Sequence, residues 1–365
     1  MTYKDDICDM NNIYKAFCKS VQGSKWKGSS QLYSYNYLIN LNRLRNELLS
    51  GNIRVDPVHE FDIYERGKHR RITGLTVHDR IIRHLLCDNV FMPVLKKHII
   101  YDNGASLENR GVDFSRKRFE IHMHRFYKQH NNNGWIFFGD IEHFYDNINQ
   151  DIAKTQLLEL VNYDSYIASL LNAIFDNFRY GVDIGDQLSQ IVGVWYLNEL
   201  DTFIKYVKSE KFYGRYMDDF YLISPSRDHL QKLKADIESI CNSLCLPLNT
   251  KKTRIVPISE TCQYLQFKYT LIKDGTLIKR VNPKRVTSMR RKLKALAKMW
   301  NVNEIEYYYI EDMFRSWMGT FHKVISKKQR KSLVALYEQL FNKHIAIERG
   351  KMVITDILEV EMSGP

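Results

Sequence analysis

The chain has 365 residues, and its 54 Lys and Arg against 42 Asp and Glu give a formal charge of +12 at pH 7. Hydrophobic residues make up 44% of it, which excludes intrinsic disorder, while the presence of only 17 Gly and 7 Pro excludes collagen-like and low-complexity classes. No apolar run approaches the ~20 residues of a membrane span, so we expect no membrane partner. The six Cys are irregularly spaced and predict reduced thiols in a cytoplasmic protein.

The first half of the chain is predicted to be mostly helical, with one hairpin. Apolar positions at helical spacing predict a helix over 31–49 that ends at Ser50-Gly51. An extended segment over 55–64, a strand over 67–72, a helix over 79–97 and a loop over 103–111 follow. The last elements of this half are a basic helix over 114–130 and a turn at 131–134.

The second half begins with a buried strand over 135–141 and continues with helices over 151–162 and 165–178. A loop over 181–190 feeds a helix over 191–207, and two apolar strands share the segment 212–223. An amphipathic helix over 227–245 precedes a hairpin over 264–279, where Asp274-Gly275 predicts a type I′ turn. Residues 284–345 are predicted to be helical and basic, so the fold class is α+β.

Positive charge is concentrated in two stretches. Nine Lys and Arg and no acid lie between Lys279 and Lys298, and a second basic stretch runs from Lys68 to Lys128. The chain also has 23 Tyr, whose rings suit stacking on bases. Such a run is often just a solvated helix face. Two runs in a chain of this charge favour a nucleic-acid partner.

Three acids lie at the ends of apolar strands. Asp140 follows the apolar run 135–139, and Asp218 and Asp219 occupy the tip of an apolar hairpin. Ionised carboxylates at such positions are costly unless they are solvated or neutralised by metal. Two hard divalent cations held there would activate a hydroxyl and stabilise a leaving pyrophosphate. The plain alternative for Asp218-Asp219 is an ordinary Asp-rich turn.

These acids lie in segments that resemble polymerase motifs of reverse transcriptases. Tyr216-Met-Asp-Asp219 is similar to their YMDD box, and Phe138-Gly-Asp-Ile-Glu-His-Phe-Tyr-Asp-Asn-Ile148 resembles their motif A. The resemblance implies that Asp140, Ile141, Asp218 and Asp219 are metal ligands. It also implies that Tyr145 is the aromatic steric gate, whose ring excludes a ribose 2′-hydroxyl, and core packing is the alternative for that ring.

The segment Gly181-Val-Asp-Ile-Gly-Asp-Gln-Leu-Ser-Gln190 resembles the IGxxxSQ motif B of diversity-generating retroelement enzymes. Retroviral and group II intron enzymes are expected to have Gln where this chain has Ile184. The resemblance implies that Ile184, Gly185 and Gln190 contact the nucleotide and that fidelity is relaxed opposite template adenine. Asp183 and Val194 depart from this subclass pattern.

Further segments resemble the remaining motifs. Lys68-His-Arg-Arg-Ile72 resembles the KxRxI of the fingers, with Lys68 and Arg70 as triphosphate ligands, although surface charge on a hairpin is the alternative. Leu248-Asn249-Thr-Lys-Lys252-Thr253 resembles motif D, with Lys252 as general acid and Lys251 as its competitor. Tyr264-Leu-Gln-Phe267 resembles the primer grip, with Gln266 in place of Gly. The implied nucleic-acid contacts are Arg110, Tyr216, Met217, Lys284, Arg285, Arg290 and Arg291.

The resemblance implies a right-hand polymerase fold with fingers, a palm whose antiparallel sheet carries YMDD, and a helical thumb. The expected parts are an N-terminal helical extension (1–54), fingers (55–134), a palm with fingers-derived helices over 151–180 (135–275), and the thumb and tail (276–365). The implied activity is RNA-directed DNA synthesis of the bacterial retroelement or antiphage-defence type.

Its cofactor would be two Mg²⁺, with Mn²⁺ as a substitute. The expected partners are a template or noncoding RNA, the DNA product, dNTPs, and a small accessory protein or further copies of the chain. Two alternatives stay open: template-independent or protein-primed DNA synthesis in antiviral defence, and a catalytically silent RNA-binding scaffold.

Overall fold

The computed structural model describes residues 2–65, 68–321, 323–348 and 351–356, and the chain divides into two compact units, Met1–Pro257 and Ile258–Pro365. Helices and antiparallel sheets are mixed in it, which confirms the predicted α+β class. Among the described residues, none of the helices combines the length and the apolar character that crossing a membrane requires. The division into extension, fingers, palm and thumb stays a prediction.

The first unit contains most of the helices and six strands. Its helices are α1 (Tyr3–Cys8), α2 (Met10–Val21), α3 (Gly28–Tyr35), α4 (Tyr37–Ser50), α5 (Val77–Leu86), α6 (Met92–His98), α7 (Val112–His130), α8 (Phe144–Asn147), α9 (Gln150–Leu160), α10 (Ser165–Phe175), α11 (Gln187–Trp195), α12 (Asn198–Thr202) and α13 (Arg227–Ser243). Its strands are β1 (His59–Glu65), β2 (Lys68–Gly74), β3 (Trp135–Asp140), β4 (Tyr213–Tyr216), β5 (Asp219–Ser224) and β6 (Arg254–Pro257).

A four-stranded antiparallel sheet lies at the centre of this unit, in the order β4-β5-β3-β6. The middle strands are almost continuously apolar and buried, because helices such as α7 and α13 pack against them. β1 and β2 form a separate hairpin in full register from His59↔Gly74 to Glu65↔Lys68. The sheet therefore presents the acidic ends of β3 and β5 at one edge, on a buried and rigid base.

Several predicted helices differ in their bounds, for local reasons. The helix expected over 31–49 is interrupted at Asn36, and the one expected over 79–97 passes through a π-helical segment, Cys87–Phe91. This wider register precedes Pro93, which lacks the N–H that an α-helix would require. The helix expected from 191 begins at Gln187, because the carboxylate of Asp186 caps it by accepting from the Leu188 N–H.

A buried ion pair fixes the start of α11. Arg83 on α5 donates from Nε to Asp186 Oδ2 at 2.9 Å, and both side chains are almost completely buried. The desolvation of such a pair is offset only when its remaining hydrogen bonds are made, and Asp186 also caps α11 with its other oxygen. The segment 181–186 is therefore held at a defined place between α5 and α11.

The second unit contains the sheet β7-β8-β9, three helices and a hairpin. Its elements are β7 (Cys262–Tyr264), β8 (Phe267–Leu271), β9 (Leu277–Val281), α14 (Pro283–Asn301), α15 (Tyr307–Phe321), α16 (Lys327–Phe341), β10 (Lys343–Glu348) and β11 (Lys351–Asp356). The β10–β11 hairpin was not expected from the sequence. The type I′ prediction at Asp274-Gly275 is wrong: of these two only Gly275 has positive φ (+88°), and its N–H closes a type I turn on Ile272.

The turn between β7 and β8 has the conformation that Gly favours, although no Gly is present. Leu265 and Gln266 have φ of +41° and +77° in a two-residue hairpin loop. A left-handed residue with a Cβ costs roughly 1–2 kcal/mol, which Gly avoids. Gln266 therefore takes the backbone of the Gly that it replaces in the resembled primer-grip motif.

We predict that Gln266→Gly stabilises the second unit by about 1 kcal/mol, because Gly adopts positive φ without steric cost. Urea denaturation of the whole chain, followed by a probe in α14–α16, measures the change. Lys273→Gly is the matched control, since Lys273 is not among the residues with positive φ and Gly there adds entropy to the unfolded chain. Equal destabilisation by both substitutions would contradict the prediction.

Candidate active site

The three acids singled out in the sequence meet at one edge of the central sheet. Asp140 ends β3 and lies directly opposite Asp219, the first residue of β5. Asp218 precedes Asp219 in the two-residue turn that joins β4 to β5. Opposite residues of an antiparallel pair have Cβ atoms about 5 Å apart. The register of two neighbouring strands thus places like charges side by side.

The electrostatics of the acids reflect this crowding. Burial, followed by the nearby charges of Asp218 and Asp140, raises the pKa of Asp219 to about 7 against the opposing effect of Lys252. Asp140 itself is buried. Near neutral pH, one of the three carboxyls therefore retains a proton for part of the time unless a further cation is supplied.

A lysine from the segment after α13 neutralises part of this charge. Lys252 Nζ lies 2.6 and 2.7 Å from the two carboxylate oxygens of Asp140. Burial alone would lower the pKa of Lys252, but the hydrogen bond and the charge of Asp140, with Asp219 and Asp218, raise it. Asn249 shapes this turn, because its N–H binds the carbonyl of Asp140 and its Oδ1 accepts from the Lys251 and Lys252 N–H groups.

The donor set fits hard divalent cations. It consists of carboxylates, and their combined charge exceeds that of the single ammonium of Lys252. In the described part of the chain, only Asp56, His78 and Asp79 have ligand atoms all within 4.8 Å of one another, so the three acids are spread more widely than that group. Ile141 is buried and bridges to Leu248, and its carbonyl as a ligand stays a prediction.

The aromatic side chain predicted as a gate lies beside the acidic turn. Tyr145 on α8 directs its hydroxyl toward Met217 Sδ at 3.9 Å. Burial, then the charges of Asp218 and Tyr216, raise the pKa of Tyr145 to about 12, and Arg70 opposes them. A Cβ at Gly193 would lie 3.2 Å from the Tyr145 hydroxyl, so a larger residue there would crowd the ring.

The segment 181–186 connects this tyrosine to the β1–β2 hairpin. Val182 N–H binds the carbonyl of Tyr145, and the carbonyl of Ile184 accepts from Thr73 N–H of β2 at 3.1 Å. Gly185 has φ of +112°, and a Cβ there would lie 3.2 Å from the Thr73 carbonyl. Ile184 and Gly185 therefore lie against β2, in the same segment as Val182, which is bonded to Tyr145. Their contact with a nucleotide stays a prediction.

A family comparison agrees with this arrangement. The reverse transcriptase (RNA-dependent DNA polymerase) family matches residues 58–269, which is more than half of the chain. The chain belongs to the reverse transcriptase family. The family is one of RNA-directed DNA polymerases, and the predicted polymerase fold is confirmed.

Solved structures that resemble this reverse transcriptase include telomerases from two Candida species. The apo telomerase of C. tropicalis without its C-terminal domain is 15% identical, with a TM-score of 0.46, over 63% of this chain and 56% of that one. The apo C. tropicalis telomerase is 13% identical, with a TM-score of 0.46, over 79% of this chain and 63% of that one. The C. albicans telomerase in complex with the TWJ fragment of telomeric RNA is 11% identical, with a TM-score of 0.47 (85% and 64% covered).

The chain thus spans 56–64% of the telomerase chains that it matches. No curated protein matches it.

The other predicted nucleotide and template contacts of the reverse transcriptase lie in different surroundings. Lys68 begins β2, and the prediction for its side chain lies outside the described residues. Gln190 is exposed on α11, with Oε1 3.5 Å from Ser106 Oγ. Arg110 donates to the carbonyls of Ile100 and Asn103, so its guanidinium braces the loop before α7.

The predicted basic contacts of the second unit follow one helix. α14 buries an apolar stripe, which includes Val286, Met289 and Leu293. Lys284 and Arg291 are exposed, and Arg290 is half-buried and donates to Ser332 Oγ at 3.0 Å. Arg285 is half-buried as well. An exposed cationic face opposite a buried stripe is what binding to a phosphate backbone requires.

The compact group Asp56, His78 and Asp79 is a second carboxylate–imidazole cluster in the first unit. Its members already have cationic or proton-bearing partners: Asp56 pairs with Arg54, and His78 lies 3.1 Å from both Glu47 and Asp79. Burial opposes the proton on His78, yet the hydrogen bond to Asp79 and the charge of Glu47 raise its pKa. The cluster is thus a contact between α4 and α5 in which Arg54 and His78 partly offset the charge of the acids.

Without added divalent cations, Asp219 should make stability depend on pH. Its pKa of about 7 in the folded chain lies above the ordinary value of 3.8, so its contribution to stability is fully present below pH 3.8 and is lost as the pH rises to about 7. We expect Asp219→Asn to gain stability relative to the unmodified chain between pH 5 and 7, by at most about 1.4 kcal/mol per pH unit. Urea titrations in EDTA measure this difference, and a pH-independent difference would contradict it.

Proposed function

We propose that this reverse transcriptase copies an RNA template into DNA by two-metal-ion nucleotidyl transfer at the edge of the β3–β5 pair. The observation that carries the proposal is the register that sets Asp140 opposite Asp219, with Asp218 in the adjoining turn. Crowded carboxylates, one of them partly protonated, are destabilising in the absence of cations. Binding of divalent cations would relieve this repulsion, and a polymerase needs such cations for catalysis.

Asp140 and Asp218 are the proposed chief ligands, with Asp219 supporting them. Bound there, Mg²⁺, or Mn²⁺ in its place, would make the primer 3′-hydroxyl a better nucleophile and neutralise the leaving pyrophosphate. The 3′-oxygen attacks the α-phosphorus of the dNTP, and the bond to the β-phosphate breaks. Lys252, whose pKa is raised and which lies on Asp140, is then the proposed donor of a proton to pyrophosphate, although burial by itself would lower that pKa.

The proposed nucleotide pocket is bounded by Tyr145, Ile184-Gly185 and Arg70. Burial raises the pKa of Tyr145, and the charge of Arg70 opposes that rise. The guanidinium of Arg70 is therefore near the proposed gate. A guanidinium suits the triphosphate. Ile184 offers packing without a hydrogen bond to the base pair, which supports relaxed fidelity.

The proposed nucleic-acid contacts use Tyr216 and Met217 in the first unit and the cationic face of α14 in the second. Tyr216 is half-exposed next to Asp218, where a primer end would lie. Lys284 and Arg291 are exposed positive charges on one helix, so we propose that they bind phosphates.

The finer biological assignment is a bacterial enzyme of the retroelement or antiphage-defence type, as the IGxxxSQ form of its motif B suggests. We propose that its partners are a template or noncoding RNA, the DNA product and dNTPs, together with an accessory protein or further copies of the chain. The six Cys, all among the described residues, form no disulfide, which supports a reducing cytoplasm.

We predict that Asp218→Ala with Asp219→Ala lowers primer extension on an RNA template by at least about 1,000-fold while RNA binding persists, because the chemical step loses its ligands. Primer-extension and filter-binding assays with dNTPs and Mg²⁺ measure the two properties. The control is Asp236→Ala with Glu238→Ala, which removes the same charge from exposed ion pairs on α13. Undiminished synthesis by the active-site variant would refute the proposal.

We further predict that Tyr145→Ala raises incorporation of ribonucleotides relative to deoxynucleotides by about tenfold or more, because the ring no longer fills the space of a 2′-hydroxyl. Single-nucleotide extension with matched rNTP and dNTP gives the ratio. Tyr180→Ala, an exposed tyrosine of the same unit, is the control. If the ratio stays at its unmodified value in Tyr145→Ala, the ring is a packing residue.

A further inference from the structure

A completely buried arginine lies in the strand that leads into the acidic turn. Arg215 belongs to β4, between Tyr213 and Tyr216, and is inaccessible to solvent. Its backbone N–H binds the carbonyl of Asp102, and its carbonyl accepts from Gly104 N–H. A guanidinium at such a place needs a full set of partners, since an unpaired buried charge is strongly destabilising.

The guanidinium of Arg215 joins three separate segments. It forms a two-pronged ion pair with Asp201 of α12, with distances of 2.8 Å to Oδ1 and 2.7 Å to Oδ2. Nη2 also donates to the carbonyl of Val194 in α11 at 2.8 Å, and Nη1 donates to the carbonyl of Met217 at 3.0 Å. The rigid, planar fork of arginine allows these contacts at the same time, which a lysine ammonium cannot reproduce.

The carbonyl of Met217 controls the direction of Asp218. Met217 has φ of +52°, a conformation that costs a residue with a Cβ roughly 1–2 kcal/mol. The peptide plane that contains this carbonyl is also the plane that leads into Asp218. A hydrogen bond to the carbonyl therefore holds both the strained conformation and the angle at which the Asp218 carboxylate leaves the turn.

The acid of the ion pair is held as firmly as the base. Asp201 is completely buried and accepts from the Tyr213 hydroxyl at 2.5 Å, in addition to the guanidinium. Within the described part of the chain, the Tyr213 hydroxyl bonds to Asp201 and not to the turn, so its removal weakens the pair without removing the donor to Met217. This difference separates a role in stability from a role in placing the turn.

We propose that Arg215 is a positioning residue of the metal site, which holds the Met217 peptide so that Asp218 is aligned to share a cation with Asp140. The inference rests on the proposed function, because it assigns a structural cause to the placement of one of its ligands. It also couples that ligand to α11, whose other end is anchored at Asp186 beside the nucleotide pocket.

The test compares Mn²⁺ affinity in four forms of the full chain: unmodified, Tyr213→Phe, Arg215→Lys, and Arg215→Met with Asp201→Leu in the Tyr213→Phe background. The last form removes the buried charges together, so that neither is left unpaired, and Tyr213→Phe is its matched parent. The loss of free Mn²⁺ signal in electron paramagnetic resonance gives the affinity without turnover. Thermal melts report folding, and primer extension gives kcat, KM for dNTP and the Mg²⁺ concentration for half-maximal rate.

We expect Tyr213→Phe to keep the Mn²⁺ affinity of the unmodified chain. Arg215→Lys and the charge-free form should bind Mn²⁺ about tenfold or more weakly, as expected for one hydrogen bond from a charged group, with a lower kcat, a raised Mg²⁺ requirement and a nearly unchanged KM. Folded forms of both with unmodified Mn²⁺ affinity and Mg²⁺ requirement would overturn the proposal. The proposed function is tested separately by Asp218→Ala, which should remove the Mn²⁺ binding seen in the unmodified chain. If it removes none, the proposed function is wrong, and this inference is wrong with it.

Discussion

The pairing of β3 with β5 is the constraint on which the rest of the active site depends. It sets Asp140 opposite Asp219 at the end of two buried strands, where water can solvate their charges only in part. Two features reduce this negative charge: the ammonium of Lys252 and a proton that Asp219 partly retains. Neither balances the charge fully. The remaining demand for positive charge is the physical basis of a cation-dependent enzyme.

The rest of the first unit keeps these groups at fixed positions. Asn249 holds the Lys252 turn on the backbone of Asp140, and the segment 181–186 ties Tyr145 to β2 through bonds to Val182 and Ile184. Buried ion pairs anchor both ends of α11, Arg83 with Asp186 at its start and Arg215 with Asp201 at its end. The nucleotide pocket and the acidic turn thus share one rigid helix, which explains why buried charge is retained there at an energetic cost.

The sequence predicted the acids, their strands and the motif order, because an apolar run that ends in a carboxylate is a local signal. The resemblance to motif D also singled out Lys252, although its contact with Asp140 was not predicted. The interruption at Asn36 and the β10–β11 hairpin were missed, since both depend on packing that no short pattern records. Asp186 and Arg215 were passed over, although each gave a signal: an acid just before a helix, and a charge inside an apolar strand, which must find a buried partner.

The primer-grip turn shows a further limit of pattern reading. Gln266 departs from the Gly of the resembled motif, which put the turn in doubt, yet its φ of +77° retains the backbone that Gly would have. The hairpin register of β7 and β8 determines the turn, so a residue with a Cβ takes the positive φ there at a steric cost that Gly would avoid. A departure from Gly at such a position therefore does not by itself exclude the turn that the motif implies.

Crystals of the chain with an RNA–DNA primer–template and dNTP, grown in Mn²⁺, would test the central claim most directly through anomalous scattering. The account predicts Mn²⁺ peaks within about 2.0–2.3 Å of carboxylate oxygens of Asp140 and Asp218, with Lys252 displaced from Asp140. Absence of any peak at these acids, or a peak confined to Asp56, His78 and Asp79, would contradict it.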